Sequence, residues 1–281
     1  MPLEPPVPID TRALFRPVTG SLAALLRELP QEAWERPTIA GRWVVRDVVA
    51  HLLDTTLRRL SFHRDGMTPP PASATIASER DFVGFINDLN ALWVQSARRL
   101  SPRVLTDLYE RASREAAEWF ESLPFDAPAL FPVSWAGEHA SAGWFDLGRE
   151  FTEVWHHQQQ VRMAVGAPSL ADPRCLAAVI DVAVRALPHA FRDVPAEAGE
   201  TVVIDIGGSS GGRWTLSRGA DRWSLLRGEA VSPTARLRLS DDDAWKLLFN
   251  ALPEGDAARA VQIEGRTELG RALLRARSVI V

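Results

Sequence analysis

The stretch Arg149-Glu150-Phe151-Thr152-Glu153-Val154-Trp155-His156-His157-Gln158-Gln159-Gln160 decides how this chain is read. It lies in a periodic segment from about Ser141 to Val165 that Gly166 and Pro168 end, so it reads as one long helix. On a helix, a carboxylate and an imidazole four residues apart share a face, and bundle proteins aim such pairs at one metal ion. Both His156 and His157 are geometrically able to partner Glu153. With Glu153 at zero and about 100° per residue, Leu147, Val154, Val161 and Val165 cluster at about 80 to 120°. His157 then falls at about 40°, beside that apolar stripe, and His156 at about −60°, away from it. His157 is the better inward ligand. The pair, taken alone, also fits satisfied polar residues at a helix margin.

Working outward, Trp43-Val-Val-Arg-Asp47-Val-Val-Ala-His51-Leu-Leu-Asp54 carries a second helical stripe of Val44, Val45, Val48, Val49, Leu52 and Leu53. His51 lies at its edge, where a lone histidine is most often a hydrogen-bonded core residue. Together with Glu153 and His157 it makes two imidazoles and one carboxylate. That set leaves coordination positions open, as catalytic zinc requires.

Other helices are expected over Thr11–Leu29 and Ser78–Arg99, then a short one ending near Ser122, and over Pro173–Ala190. Pro69-Pro70-Pro71 marks a loop from Asp65 to Ala74. From Gly199 the period changes from 3.6 to 2. Thr201–Ile206, Arg213–Ser217, Arg222–Leu226 and Ala235–Ser240 read as short strands, Val261–Glu264 as extended, and Asp241–Phe249 and Thr267–Arg275 as helices. The expected architecture is therefore a helical bundle over residues 1–170 followed by a small α+β domain over 171–281.

The 281 residues are 46% hydrophobic and 24% charged, which excludes wholesale disorder. A net charge of −4 argues against a nucleic-acid partner. The single cysteine, Cys175, excludes an intrachain disulfide and a Cys-rich zinc site. No signal peptide or 18-residue apolar run is visible, so no membrane partner and a cytoplasmic location are expected. Ten tryptophans point to an aromatic-lined interior, with Trp43, Trp144 and Trp155 as core or pocket wall.

The pattern Gly41-Arg-Trp43-Val-Val-Arg-Asp47-Val-Val-Ala-His51-Leu, with Glu153-Val-Trp155-His-His157 about a hundred residues on, resembles the DinB-like metalloenzyme superfamily, and most closely the mycothiol-dependent maleylpyruvate isomerase family. The resemblance implies a DinB-like four-helix bundle that binds a divalent metal through His51, Glu153 and His157. Zinc is the first choice, with nickel, iron or manganese as alternatives. The tail, with Leu225-Leu-Arg-Gly228-Glu-Ala and Val261-Gln-Ile-Glu-Gly265-Arg-Thr-Glu-Leu, is similar to a sterol-carrier-like domain. The implied partners are a low-molecular-weight thiol such as mycothiol and a small acidic substrate, in a monomer or homodimer. The implied chemistry is isomerisation, by reversible addition of the thiolate to an alkene, or thiol transfer. A metal-dependent hydrolase and a non-catalytic ligand-binding or metal-sensing protein are the alternatives. One departure stands out: members of the family it resembles often continue the ligand helix with an acidic residue, as in His-x-x-Asp, whereas Gln158-Gln159-Gln160 follows here.

Arg80, Arg213 and Arg222 are candidates to anchor the carboxylate of an acidic substrate, against the commoner role of solvated or salt-bridged arginine. Cys175 reads as a small buried hydrophobe. Gly207-Gly-Ser209-Ser-Gly211 matches G-x-S-x-G but leads into a strand, so it reads as a hairpin connection and not as a nucleophile elbow.

Overall fold

A computed structural model describes residues 3–69, 71, 75–170, 172–253 and 255–279. In the helical part, α1 (Phe15–Glu28) buries Phe15, Val18, Leu22 and Leu26, the three-to-four spacing of a one-sided helix. The helices α2 (Val45–Arg58), α3 (Glu79–Ala97) and α4 (Pro102–Ser122) follow, with α4 packed on both α1 and α2, and α2 on α3. A long α5 spans Gly143–Val165. Its second half is tied to α1 by Arg162 Nη2, which donates to Ser21 Oγ at 2.7 Å. Asp65–Pro69, Pro71 and Thr75–Ala77 form neither helix nor strand, as expected; Pro70 and residues 72–74 lie outside the described residues.

Two helix expectations need correction. The helix ending at Ser122 is 21 residues long, not short. Ser101-Pro102 is its start: Ser101 Oγ accepts from Val104 N at 3.3 Å, and Pro102 sits at the first helical position. The segment expected as one helix over Pro173–Ala190 divides into α6 (Pro173–Ala183), a 3₁₀ turn and α7 (Leu187–Ala190). Pro188 has no N–H to offer the carbonyl four residues back, so the α-ladder cannot run through. The sequence also gave no sign of the π-helical turn Arg59–Arg64 that continues α2.

The C-terminal part is built on five strands: β1 (Thr201–Gly207), β2 (Gly212–Arg218), β3 (Trp223–Arg227), β4 (Ala235–Ser240) and β5 (Gln262–Gly265). Their order is β3-β2-β1-β4-β5, with β1 and β4 parallel and every other pair antiparallel. Three further helices, α8 (Asp241–Leu248), α9 (Ala257–Ala260) and α10 (Thr267–Leu273), complete it, and α7, α8 and α10 pack on the sheet. The G-x-S-x-G run is the β1–β2 hairpin. A Cβ at Gly211 would lie 2.0 Å from the Ile206 carbonyl oxygen, which explains a glycine there. The chain is thus a helical region followed by a five-stranded mixed sheet, an α+β protein. No described helix is long and apolar enough to cross a membrane.

The compact units do not follow a single cut between residues 170 and 171. One comprises Thr11–Phe125 with Glu153–Ala171; the other comprises Met1–Asp10, Asp126–Thr152 and Asp172–Val281. The connection before α5 joins the second unit because Val133, Trp135 and Phe145 bury against Val182 and Ala186. The segment before Thr11, with prolines at 5, 6 and 8, belongs there too, since Glu4 and Arg227 exchange backbone hydrogen bonds at the edge of β3.

Candidate metal centre

His51 is placed by the way α2 begins. Val44 is the extended residue before the helix, and its N–H is accepted by Asp47 Oδ2 at 3.3 Å while Asp47 N donates to Val44 O at 3.0 Å. The buried Asp47 also accepts from Arg98 Nε at 3.0 Å and Nη2 at 2.8 Å. One turn later the His51 ring is buried, with Trp43 against it at 4.9 Å between centroids. Trp43 also lies 6.3 Å from the His157 ring, so it forms a wall shared by both imidazoles.

One ligand atom each from His51, Glu153 and His157 lies within 4.8 Å of the other two. His157 Nε2 is 3.3 Å and His51 Nε2 3.9 Å from Glu153 Oε2. Tetrahedral zinc, with bonds near 2 Å, needs its ligand atoms about 3.3 Å apart. The two contacts to Glu153 are therefore within about 0.6 Å of that spacing, and no pair of the three ligand atoms exceeds it by more than about 1.5 Å. Among the described residues no other group of three such side chains is this close. Both histidines are buried, while the Glu153 side chain keeps 24% of its surface exposed.

The electrostatics suit a cation. Burial and the neighbouring His157 push the His51 imidazole down to about 4, against a smaller upward pull from Glu153, so it is neutral and has a lone pair to give. Burial works to raise the Glu153 carboxyl, but the surrounding imidazoles, first His157 and His51 and then His156, outweigh it. The carboxyl is held well below its usual range and stays ionised. Two imidazoles and a carboxylate fit a divalent transition metal.

The doubled histidine and the glutamine run resolve into separate roles. His156 is buried as well, with its ring 4.0 Å from that of His157, but it is outside the cluster of three. The Gln158 amide, oriented to satisfy its neighbours, donates to Val18 O at 3.0 Å and accepts from Leu22 N at 3.0 Å on α1. Gln159 Oε1 accepts from Leu170 N at 3.4 Å. Gln160 Oε1 lies 2.7 Å from His157 Nδ1.

Further buried polar groups went unread in the sequence. Asp54, one turn beyond His51, is buried and has its carboxyl raised by that burial, although Arg58 sits 2.9 Å away. Arg58 Nη2 also donates to Asn90 Oδ1 at 3.0 Å, and Trp93 Nε1 donates to Ala50 O at 2.8 Å, so α3 is fastened to the helix that carries His51. The helical period marked α2 as amphipathic but says nothing about partners 30 to 50 residues away. Of the three arginines singled out, Arg213 pairs with Asp205 at 3.1 Å and Glu229 at 3.2 Å. Arg80 and Arg222 are exposed.

A helical region holding a two-histidine, one-carboxylate cluster able to hold a metal ion, followed by a mixed sheet, defines the class as an α+β protein with a candidate metal site among its helices. Residues 15–162, more than half of the chain, match the family model described as the mycothiol maleylpyruvate isomerase N-terminal domain, and the chain belongs to that family. Among solved structures it is similar to the crystal structure of the mycothiol-dependent maleylpyruvate isomerase, at 12% identity and a TM-score of 0.55, over 90% of this chain and 91% of that one. It is also similar to a histidine-to-alanine mutant of the mycothiol-dependent maleylpyruvate isomerase, at 13% identity and a TM-score of 0.53, over 90% and 91%. These likenesses show the fold. No curated protein sequence matches it.

Proposed function

We propose that this protein is a metal-dependent enzyme that works with a low-molecular-weight thiol, as an isomerase of the maleylpyruvate isomerase kind or as a thiol transferase. The observation that carries the reading is the approach of the His51, Glu153 and His157 ligand atoms to within 4.8 Å of one another, inside the region that matches the family. His51, Glu153 and His157 hold the metal, zinc before nickel, iron or manganese. When bound, the metal supplies the Lewis acidity that lowers a thiol's pKa, and the thiol supplies a nucleophile whose reversible addition to a carbon–carbon double bond permits rotation about it.

The chain's own residues set the conditions. Glu153 contributes the one negative charge of the ligand set, and its exposed quarter marks the side from which small molecules reach the site. The indole of Trp43 shields the two imidazoles from water and keeps the local dielectric low. Arg80, Arg213 and Arg222 remain the candidates to pair with a substrate carboxylate. Arg213 would have to exchange its present partners, Asp205 and Glu229, to do so.

The test is titration of the cobalt-substituted protein with mycothiol, bacillithiol, glutathione and coenzyme A, followed by assay for alkene isomerisation and thiol transfer. Thiolate ligation gives cobalt a charge-transfer absorption that oxygen ligands do not. The proposal expects this band with at least one thiol, growing with pH as the thiol deprotonates. No band and no turnover with any of them overturns the thiol-dependent reading.

A further inference from the structure

Gln160 is buried one helical turn beyond His157, with its Oε1 2.7 Å from His157 Nδ1. We propose that Gln160 is a positioning residue for the metal ligand His157, and that its neutrality keeps the site selective for an anionic fourth ligand such as a thiolate. The inference rests on the metal reading above and adds to it the residue that aims the ligand and tunes the charge of the set.

The geometry supports the positioning role first. An imidazole has two nitrogens, and the one that points into the cluster is Nε2, 3.3 Å from Glu153 Oε2. Donation of Nδ1–H to the Gln160 carbonyl oxygen fixes the tautomer and the rotation of the ring, and leaves the Nε2 lone pair for an ion. The other histidine has no such tether. His51 Nδ1 is buried with no hydrogen-bond partner among the described residues, and the ring is held by its contact with Trp43. Among the described residues, the Gln160 bond is therefore the one polar tether on either imidazole outside the cluster itself. Gln158 and Gln159 cannot substitute, because they are turned to α1 and to Leu170.

The charge argument follows. A carboxylate at position 160 accepts the same hydrogen but brings a second negative charge to the set beside Glu153. With an amide there, a divalent ion bound by neutral His51, neutral His157 and ionised Glu153 keeps a net charge of about +1. An anion is favoured in its open position, and a thiol is deprotonated more readily there. Glutamine at position 160 thus supplies the orienting bond without adding a charge.

The test compares the full-length wild-type protein with Gln160→Met and Gln160→Glu. Zinc affinity is measured by competition with a chromophoric chelator, the thiol response by the cobalt charge-transfer band with glutathione and mycothiol, and the fold by circular dichroism and melting with chelator present. Gln160→Met keeps the side-chain length without the acceptor. It should weaken zinc binding about 10- to 100-fold while its metal-free melting stays near wild type. Gln160→Glu should restore zinc affinity to the wild-type value or above, yet need at least about tenfold more thiol for half of the band. Wild-type zinc affinity in Gln160→Met overturns the positioning role. If that variant does not fold, Gln160→Glu decides alone, and an unchanged thiol midpoint in it overturns the proposal. Failure of the wild-type protein itself to bind metal overturns the underlying reading, and this is seen before any variant is compared.

Discussion

Removing either partner of the Asp47–Arg98 pair should destabilise the helical region, and the exposed partner should matter more than the buried one. Asp47 has no exposed surface, while the Arg98 side chain is 57% exposed. Asp47→Ala deletes the helix-start bond to Val44 N–H, worth about 1 kcal/mol, and the ion pair, worth about 1 kcal/mol with so exposed an arginine. Arg98 then returns to water, for a total cost of about 2 kcal/mol. Arg98→Ala instead strands a buried carboxylate with a single remaining donor, which costs about 3 kcal/mol or more. At about 2–4 °C per kcal/mol for a region of this size, Tm should fall by roughly 4–8 °C for Asp47→Ala and by roughly 6–12 °C for Arg98→Ala. The double variant should resemble Asp47→Ala, because no buried charge is left over. Thermal melting followed by circular dichroism measures all three. An Arg98→Ala melt milder than that of Asp47→Ala would refute the reasoning, since it would mean that the carboxylate has water when the arginine is gone.

Acidification should weaken the metal-free protein. His51 has a folded pKa of about 4, below its ordinary 6.5, so the unfolded chain takes up a proton that the folded one refuses. The stability contributed is full above about pH 6.5 and is lost progressively toward pH 4, by up to about 3 kcal/mol, and Glu153 adds to the loss as its own depressed pKa is approached. Melting of chelator-treated protein from pH 8 to 4 should show this slope, and His51→Gln should flatten it; equal slopes in the two would sink the assignment. Cys175 is buried and its thiol is pushed up to about 11 by that burial, so iodoacetamide should label it only after unfolding, while rapid labelling of the native protein would contradict its place in the core. Gly211→Ala should destabilise the sheet by about 1–3 kcal/mol through its clash with the Ile206 carbonyl, measured by urea unfolding. Ser209→Ala should leave any turnover unchanged, and a large loss would revive the nucleophile reading.

Much of this arrangement was legible in the sequence for identifiable reasons. The β-branched, partly alternating runs Thr201–Ile206 and Ala235–Ser240 predict strands, and both lie in the parallel pair β1–β4; burial alternates along β4, whereas in β1 Val202, Val203 and Ile204 are buried in succession. The stripe argument favours His157 over His156 and the cluster contains His157, yet its premise of one wet helix face does not hold, because His156 is 2% exposed. From Glu150 to Val161 every residue except Glu153 is buried, so polarity there marks hydrogen-bond partners and not solvent. The missed features are tertiary. Ser101-Pro102 is ambiguous between a stop and a start, and only the buried face of α4, with Leu105, Tyr109, Ala112 and Phe120, settles it. The compact units differ from a single cut at residue 170 because the cluster of Val133, Trp135 and Phe145 with Val182 is non-local and no period announces it.

The central claim is that His51, Glu153 and His157 together bind one divalent ion, and metal analysis of the purified protein and four variants tests it most directly. After reconstitution with zinc and gel filtration, the wild type and His156→Ala should each retain about one equivalent. His51→Ala, Glu153→Gln and His157→Ala should each lose it while keeping the wild-type circular dichroism spectrum. Equal retention in His157→Ala and His156→Ala, or no metal in the wild type, would contradict the account.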